Sequence, residues 1–281
     1  MSALIIYNGE IINDSELNLS PSNRGFLYGD GCFATFRNYQ SQFLHLDYHL
    51  DKLNAALAYL NIDLKFEAEV FRSLLTEYLS MNDHIDSDSV VRIQCWREGE
   101  RGYQTDSVKG NWIVRSTPIP DISPTCELKV AESRAIPEAA LTRKFKLSNG
   151  LNFINAAREV NRSGADDAVL LTMDDHVSET TIANLFWIKD GIFYTPSLNS
   201  DIYPGVTRQI VIDLIARSEY VLLESKFGLE SLLQSEAVFS TNSVREIRIV
   251  HSINDTVFET DHEMIIELRS MFDHYKAEHL K

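Results

Sequence analysis

Three prolines within seven residues, Pro118, Pro120 and Pro124, interrupt the chain less than halfway along its 281 residues. Proline fixes φ and lacks a backbone donor, so neither a helix nor a central strand runs through such a stretch. The stretch therefore reads as a stiff, extended connector, and the chain on each side of it must bury its own apolar surface. We assign residues 1–117 to an N-terminal α+β domain, 118–124 to a linker and 125–281 to a larger C-terminal domain. With 44% hydrophobic residues, both sides have enough apolar surface for a core.

On the first side, the apolar runs Ala3–Tyr7 and Glu10–Ile12 flank Asn8-Gly9, the dipeptide that suits a tight hairpin turn. Gly25, Gly29 and Gly31 then crowd into what reads as a loop closely approached by other backbone, ahead of a strand from Cys32 to Tyr39. Helical spacing follows in Leu46, Leu50, Leu53, Leu57 and Leu60, and again in Val70, Leu74, Leu75 and Leu79. Val90–Trp96 and Trp112–Thr117 read as strands around a polar loop. On the second side, a helical pattern, Leu151, Ile154, Ala157 and Val160, lies among strands expected near 128–131, 168–172, 182–188, 191–195, 220–223, 237–240 and 247–250. A helix follows Gly205 and another closes the chain from His262 to Lys276. Helices do not regularly alternate with strands, which argues against a doubly wound sheet.

Chemistry gathers between Arg143 and Ser243. Lys146 stands between Phe145 and Leu147, and an amine among apolar neighbours loses solvation for its charge and gains nucleophilicity toward aldehydes. Glu179 sits among Ser178, Thr180 and Thr181 just before an apolar strand, where a carboxylate can hold a protonated ring nitrogen. Gly205, Val206 and Thr207 open a helix, so free backbone N–H groups and a hydroxyl form an anion site. Arg92, Arg97 and Arg101, with Tyr103, are candidates to hold a substrate carboxylate, because the guanidinium fork matches that group. Each has a plainer reading: a surface lysine, a solvated turn acid, turn chemistry at Thr180, Thr181, Asn242 and Ser243, and a solvated hairpin tip around Arg101.

Taken in order, these segments resemble the class IV aminotransferase family of pyridoxal phosphate (PLP) enzymes. The family includes D-amino-acid and branched-chain aminotransferases and 4-amino-4-deoxychorismate lyases. The resemblance rests on Leu19–Arg37 (LSPSNRGFLYGDGCFATFR), on Lys146, on the run Val177-Ser178-Glu179, on Asn184-Leu185-Phe186, on Gly205-Val206-Thr207-Arg208 and on FSTNSVREI ending at Ile247. It implies a two-domain D-amino-acid-aminotransferase-like fold, a small N-terminal domain beside a barrel-like C-terminal one. It also implies PLP as cofactor, with Lys146 bonded to it and moving a proton at the substrate α-carbon, and with Glu179 on the ring nitrogen. Lys52, Gly205, Val206, Thr207, Asn242 and Ser243 would hold its phosphate, Thr180 would steer the ring, and Phe33, Thr181 and the arginines would face substrate. Two positions depart from the pattern: Lys52 stands where the family usually has arginine, and Ala34 where many members carry glutamate. Amino-acid transamination is the expected activity, with aminodeoxychorismate cleavage to pyruvate and p-aminobenzoate as the alternative and a non-catalytic PLP-binding protein as a third. The family resemblance further implies a homodimer with shared active sites.

A net charge of −15 argues against a nucleic-acid partner, and an anionic substrate then needs a local cationic cluster. The apolar start stops at Asn8 without a basic flank, so neither signal peptide nor membrane anchor is expected. Cys32, Cys95 and Cys126 are scattered, consistent with a reducing compartment and a cytoplasmic location. His45, Asp47 and His49 share a helix but no further ligand cluster accompanies them, so no metal is expected.

Overall fold

The computed structural model describes residues 4–82, 84–120 and 123–281. Ala3 of the expected first strand and residues 121 and 122 of the expected linker lie outside them. The chain forms two compact units, the first comprising 1–120 with Phe145–Asn149 and His279–Lys281, the second 121–144 with 150–278. Residues 145–149, which the proline-based division places in the second half, thus belong with the first unit.

The first unit opens on β1 (Leu4–Tyr7) and β2 (Glu10–Asn13). Asn8 and Gly9 join them at φ 49° and 96°, both positive as a type I′ turn requires. A short helix, α1 (Arg24–Tyr28), runs through the segment expected to be a glycine loop. Asn23 caps it by accepting from Phe26 N–H, and Gly29 ends it in the left-handed region. Then come β3 (Gly31–Asn38), α2 (Leu46–Tyr59), α3 (Ala68–Met81), β4 (Ser89–Arg97) and β5 (Gly110–Pro118). The strands make an antiparallel sheet in the order β2-β1-β5-β4-β3. At Gly31 a Cβ would stand 2.1 Å from the Cys95 carbonyl oxygen, so only glycine fits that crossing. Leu46, Leu50, Leu53 and Leu57 of α2 and Phe71, Leu75 and Leu79 of α3 share one core with Ile6, Phe36, Val91, Ile93 and Val114 of the sheet.

The second unit contains β6 (Thr125–Val130), α4 (Leu151–Asn161), β7 (Asp167–Leu171), β8 (Val177–Thr180), β9 (Asn184–Lys189) and β10 (Ile192–Pro196). It continues through α5 (Val206–Ala216), β11 (Leu222–Ser225), α6 (Leu229–Leu233), β12 (Ala237–Asn242), β13 (Glu246–Ile253), β14 (Thr256–Val257) and α7, which spans Glu263–His279. Eight strands run in the order β11-β10-β9-β12-β13-β6-β7-β8, with β14 beside β13. The two ends of this order approach each other: Val177 N–H donates to the Phe227 carbonyl at 2.7 Å, and His176 bridges Gly228. The sheet therefore curls toward closure and hides its edges, giving the barrel-like body. Leu171, Val177, Leu185, Trp187, Val238 and Val250 fill one core.

Two local expectations change. The strand expected over 182–188 starts at Asn184 and is preceded by β8, because Thr180 Oγ1 accepts from Ala183 N–H at 2.9 Å and makes a turn between them. In α4 the stripe of Leu151 and Ile154 is exposed, at 68% and 54%. Ala156 and Val160 instead pack against Ala168 and Leu170 of β7.

Candidate active site

In the first unit, β3 is an edge strand, and the chain around Lys146 pairs onto it. Phe33 N–H donates to the Lys146 carbonyl at 2.9 Å and Ser148 N–H to the Gly31 carbonyl at 3.0 Å. This rung fixes the backbone that carries the lysine. The Lys146 Nζ lies 5.8 Å from the centre of the Phe33 ring, and the Arg92 guanidinium lies 3.8 Å from the same centre. Arg92 donates to Gln94 Oε1 at 3.0 Å, while Gln94 Nε2 donates to Ser148 Oγ at 2.8 Å. Gln94 thus ties the lysine segment to the sheet. Sequence reasoning missed it, although it stands two residues from Arg92 on one strand and so on the same face.

Positive charge concentrates on this side of the unit. His49 is buried on α2 against Phe36, with ring centres 5.2 Å apart. Burial, then the charges of Lys146, His45 and Lys52, push its pKa down to about 3, so its imidazole is neutral. Burial also lowers the pKa of Lys52. An anion placed here would oppose both shifts, since its charge favours the protonated forms.

The three arginine candidates separate. Arg97 is buried and fully engaged: Nε donates to Asp30 at 3.0 Å and Nη1 to the carbonyls of Asn61 and Ser107 at 3.0 and 2.8 Å. Its Nη2 reaches the Leu60 carbonyl, so it serves the scaffold and is not positioned for substrate. Arg101 and Tyr103 are exposed at the hairpin tip, beside a cavity of about 600 Å³ that Leu27 and Tyr28 also line. Arg24 holds this tip by donating to the Glu100 and Gly102 carbonyls at 3.0 and 2.6 Å.

The second unit carries Glu179 at the end of β8, buried with 5% exposure. Arg143 Nη2 donates to Oε1 at 2.6 Å, and Asn184 Nδ2 and Tyr203 N–H donate to Oε2 at 3.1 and 3.0 Å. These donors, one of them a cation, favour the carboxylate over the acid. Burial, then the Glu179 charge, raises the pKa of the Tyr203 phenol, which stays protonated.

Asn184 also donates to the Tyr203 carbonyl at 2.8 Å, and a Cβ on Gly205 would stand 2.4 Å from Asn184 Oδ1. Gly205 therefore lets the start of α5 approach this acid. Thr207 Oγ1 lies 3.5 Å from Ser243 Oγ, and the first N–H groups of α5 face outward from the helix end with them. Val206 and Thr207 are buried there.

Three candidates are used otherwise. Thr180 Oγ1 closes its own turn. Thr181 donates to Asp167, and Asn242 Oδ1 accepts from Val244 and Arg245 N–H at 3.0 and 2.7 Å. Among the described residues no group of three or more His, Cys, Asp or Glu has a metal-holding arrangement.

The lysine on a sheet edge of the first unit and, separately, the buried glutamate ahead of a helix N-terminus in the second each go with the likenesses found among known proteins. The family model "Amino-transferase class IV" matches residues 31–253, and the chain belongs to that family. It is 30% identical over 253 residues to an aminodeoxychorismate lyase of Bacillus subtilis, covering 87% of this chain and 84% of that one. A putative branched-chain-amino-acid aminotransferase of Methanocaldococcus jannaschii is 28% identical over 257 residues, 90% and 88% of the two chains. Among solved structures, a branched-chain aminotransferase of Thermoproteus uzoniensis superposes with a TM-score of 0.92 at 20% identity, over 100% of this chain and 99% of that one. The two-domain α+β fold with a curled sheet is thus that of the class IV enzymes.

Proposed function

We propose that the chain is a PLP-dependent enzyme that acts on the amino group of an amino acid, an aminotransferase of the branched-chain or D-amino-acid type. The observation that carries this reading is the buried carboxylate of Glu179, which accepts from Arg143, Asn184 and Tyr203 N–H. A buried anion with that donor set matches a protonated ring nitrogen, and the N–H groups of α5 with Thr207 and Ser243 match a phosphate. Gly205, whose Cβ would stand 2.4 Å from Asn184 Oδ1, lets the start of α5 lie close against a residue that holds Glu179.

When bound, the cofactor supplies the electron sink for the charge left as the α-proton departs. The residues do the rest. Lys146 provides the amine that anchors the cofactor and carries the α-proton. Lys52 adds a cation for the phosphate, as a point charge without the arginine fork. Arg92, on the Phe33 ring with Lys146, meets a carboxylate of the substrate. The reading includes a cytoplasmic homodimer whose sites share the Arg101–Tyr103 loop. No helix among the described residues is long and apolar enough to cross a membrane.

A second reading, aminodeoxychorismate lyase, is favoured by the name of the Bacillus subtilis relative. Its early steps use the same lysine and glutamate. The test is to incubate PLP-loaded protein with L- and D-amino acids plus a keto acid, and separately with aminodeoxychorismate. Keto-acid formation from an amino acid is expected; release of p-aminobenzoate without it selects the lyase, and neither product would end both readings.

A further inference from the structure

Glu179 does not hold its place alone, and the residue that grips it is itself built in. Arg143 is buried at 9% exposure, and its guanidinium lies 4.8 Å from the centre of the Phe153 ring. Its Nε donates to the Asp201 carbonyl at 3.2 Å, and its backbone N–H donates to the Glu138 carboxylate. Glu138 in turn accepts from Thr142 Oγ1 at 2.7 Å, and its own N–H donates to Asp201 Oδ1 at 2.9 Å. Held by these contacts, the guanidinium presents Nη2 to Glu179 Oε1 at 2.6 Å.

An ion pair this deep is costly to assemble, and a packed apolar pair would serve stability as well or better. Its retention is explained if the charge of Glu179 is what matters. From the other elements around it, Asn184 of β9 offers a neutral amide, and the Tyr203 segment ahead of α5 offers a neutral N–H and a protonated phenol. Arg143 meets the carboxylate with a full positive charge at 2.6 Å.

We propose that Arg143 is a positioning residue that keeps Glu179 ionised and fixes its direction, and thereby sets the protonation of the cofactor ring. The proposal rests on the PLP reading given above. Arg143 acts through its contact with the glutamate.

The test combines two measurements on the full chain. In the protein without cofactor, ¹³C-labelled glutamate is titrated by NMR, the Glu179 carboxyl signal being assigned by its loss in Glu179→Gln. Arg143→Met should raise the Glu179 titration midpoint by about one pH unit or more, and Arg143→Lys by less. In the loaded enzyme, Arg143→Met should lower kcat about tenfold or more with the PLP dissociation constant changed less than about threefold. The double variant Arg143→Met/Glu179→Gln should be no slower than Glu179→Gln alone, since both remove one effect. An unmoved carboxyl midpoint, or losses that multiply in the double variant, would overturn the proposal. If Arg143→Met does not fold, the carboxyl midpoint is read on Arg143→Lys and the rate of the double variant against Glu179→Gln, neither of which leaves an unpaired buried charge. A wild type that binds no PLP refutes the functional reading instead, and the NMR titration still decides the role of Arg143.

Discussion

His49 shows how one side chain can report the electrostatics of a whole site. Its imidazole is neutral in the fold because burial and the charges of Lys146, His45 and Lys52 hold its pKa near 3, against an ordinary value of 6.5. The unfolded chain takes up a proton below about pH 6.5 and the native one does not until about pH 3. Stability should therefore fall as the pH drops through that window, by up to about 1.4 kcal/mol per unit from this group. Urea unfolding at pH 6.5 and 4.5 measures it, and His49→Gln should lose about 2 kcal/mol less than wild type over that interval. Parallel losses would mean that His49 accepts its proton in the native state. Lys52 belongs to the same balance: partial burial lowers its pKa, and a bound anion would act in the opposite direction.

The hairpin joining β4 and β5 is held by a carboxylate shared between two guanidiniums. Asp30 Oδ2 accepts from Arg24 Nε at 2.8 Å and Arg97 Nε at 3.0 Å, and both arginines then reach carbonyls on either side of the hairpin loop. The Arg24, Gly29 and Asp30 positions of the N-terminal motif are thus architectural: they dock α1 and order the loop that presents Arg101 and Tyr103. Asp30→Asn leaves two largely buried cations without their anion and should destabilise the protein by about 3 kcal/mol. Removing the exposed Lys65–Glu67 pair should leave the urea midpoint essentially where it is, because water already screens both charges. Urea midpoints compare the two, and trypsin should cut Asp30→Asn first at Arg101. Equal midpoints would remove the network from the account of this element.

At the scale of the molecule, Phe26 and Tyr103 are left 81% and 91% exposed in one unit, together with Arg101 on the same hairpin tip. A partner chain that covered these side chains would take their apolar area out of water. If two chains share their sites, the 32.0 kDa chain should run in light scattering as a particle of about twice that mass. A stronger check mixes two inactive variants, Lys146→Ala and Arg101→Ala, under conditions that exchange subunits. Each mixed dimer then has one site with both residues intact, so activity should return to about a quarter of wild type. No recovery despite confirmed exchange would place Arg101 outside the partner's site.

What the sequence determined by itself was what short-range chemistry controls. Asn8-Gly9 specified a turn because few residues tolerate positive φ, and the leucine spacing of α2 specified a helix because one face had to be buried. The ordered motifs from Leu19 to Ile247 were specific enough to point to the family. Strand parity even held a signal that went unread: Arg92 and Arg97 differ by an odd number of residues, so one faces Phe33 while the other turns into the scaffold. Tertiary structure decided the rest. Lys146 lies with the first unit because its backbone completes the edge of β3, a pairing between segments more than a hundred residues apart that no local pattern encodes. Glu179 is held as an anion by Arg143, Asn184 and Tyr203, which come from three separate segments and converge only when the sheet curls. A charge is worth stating only with its partners, and partners at long range are set by the packing of elements rather than by their sequence neighbours.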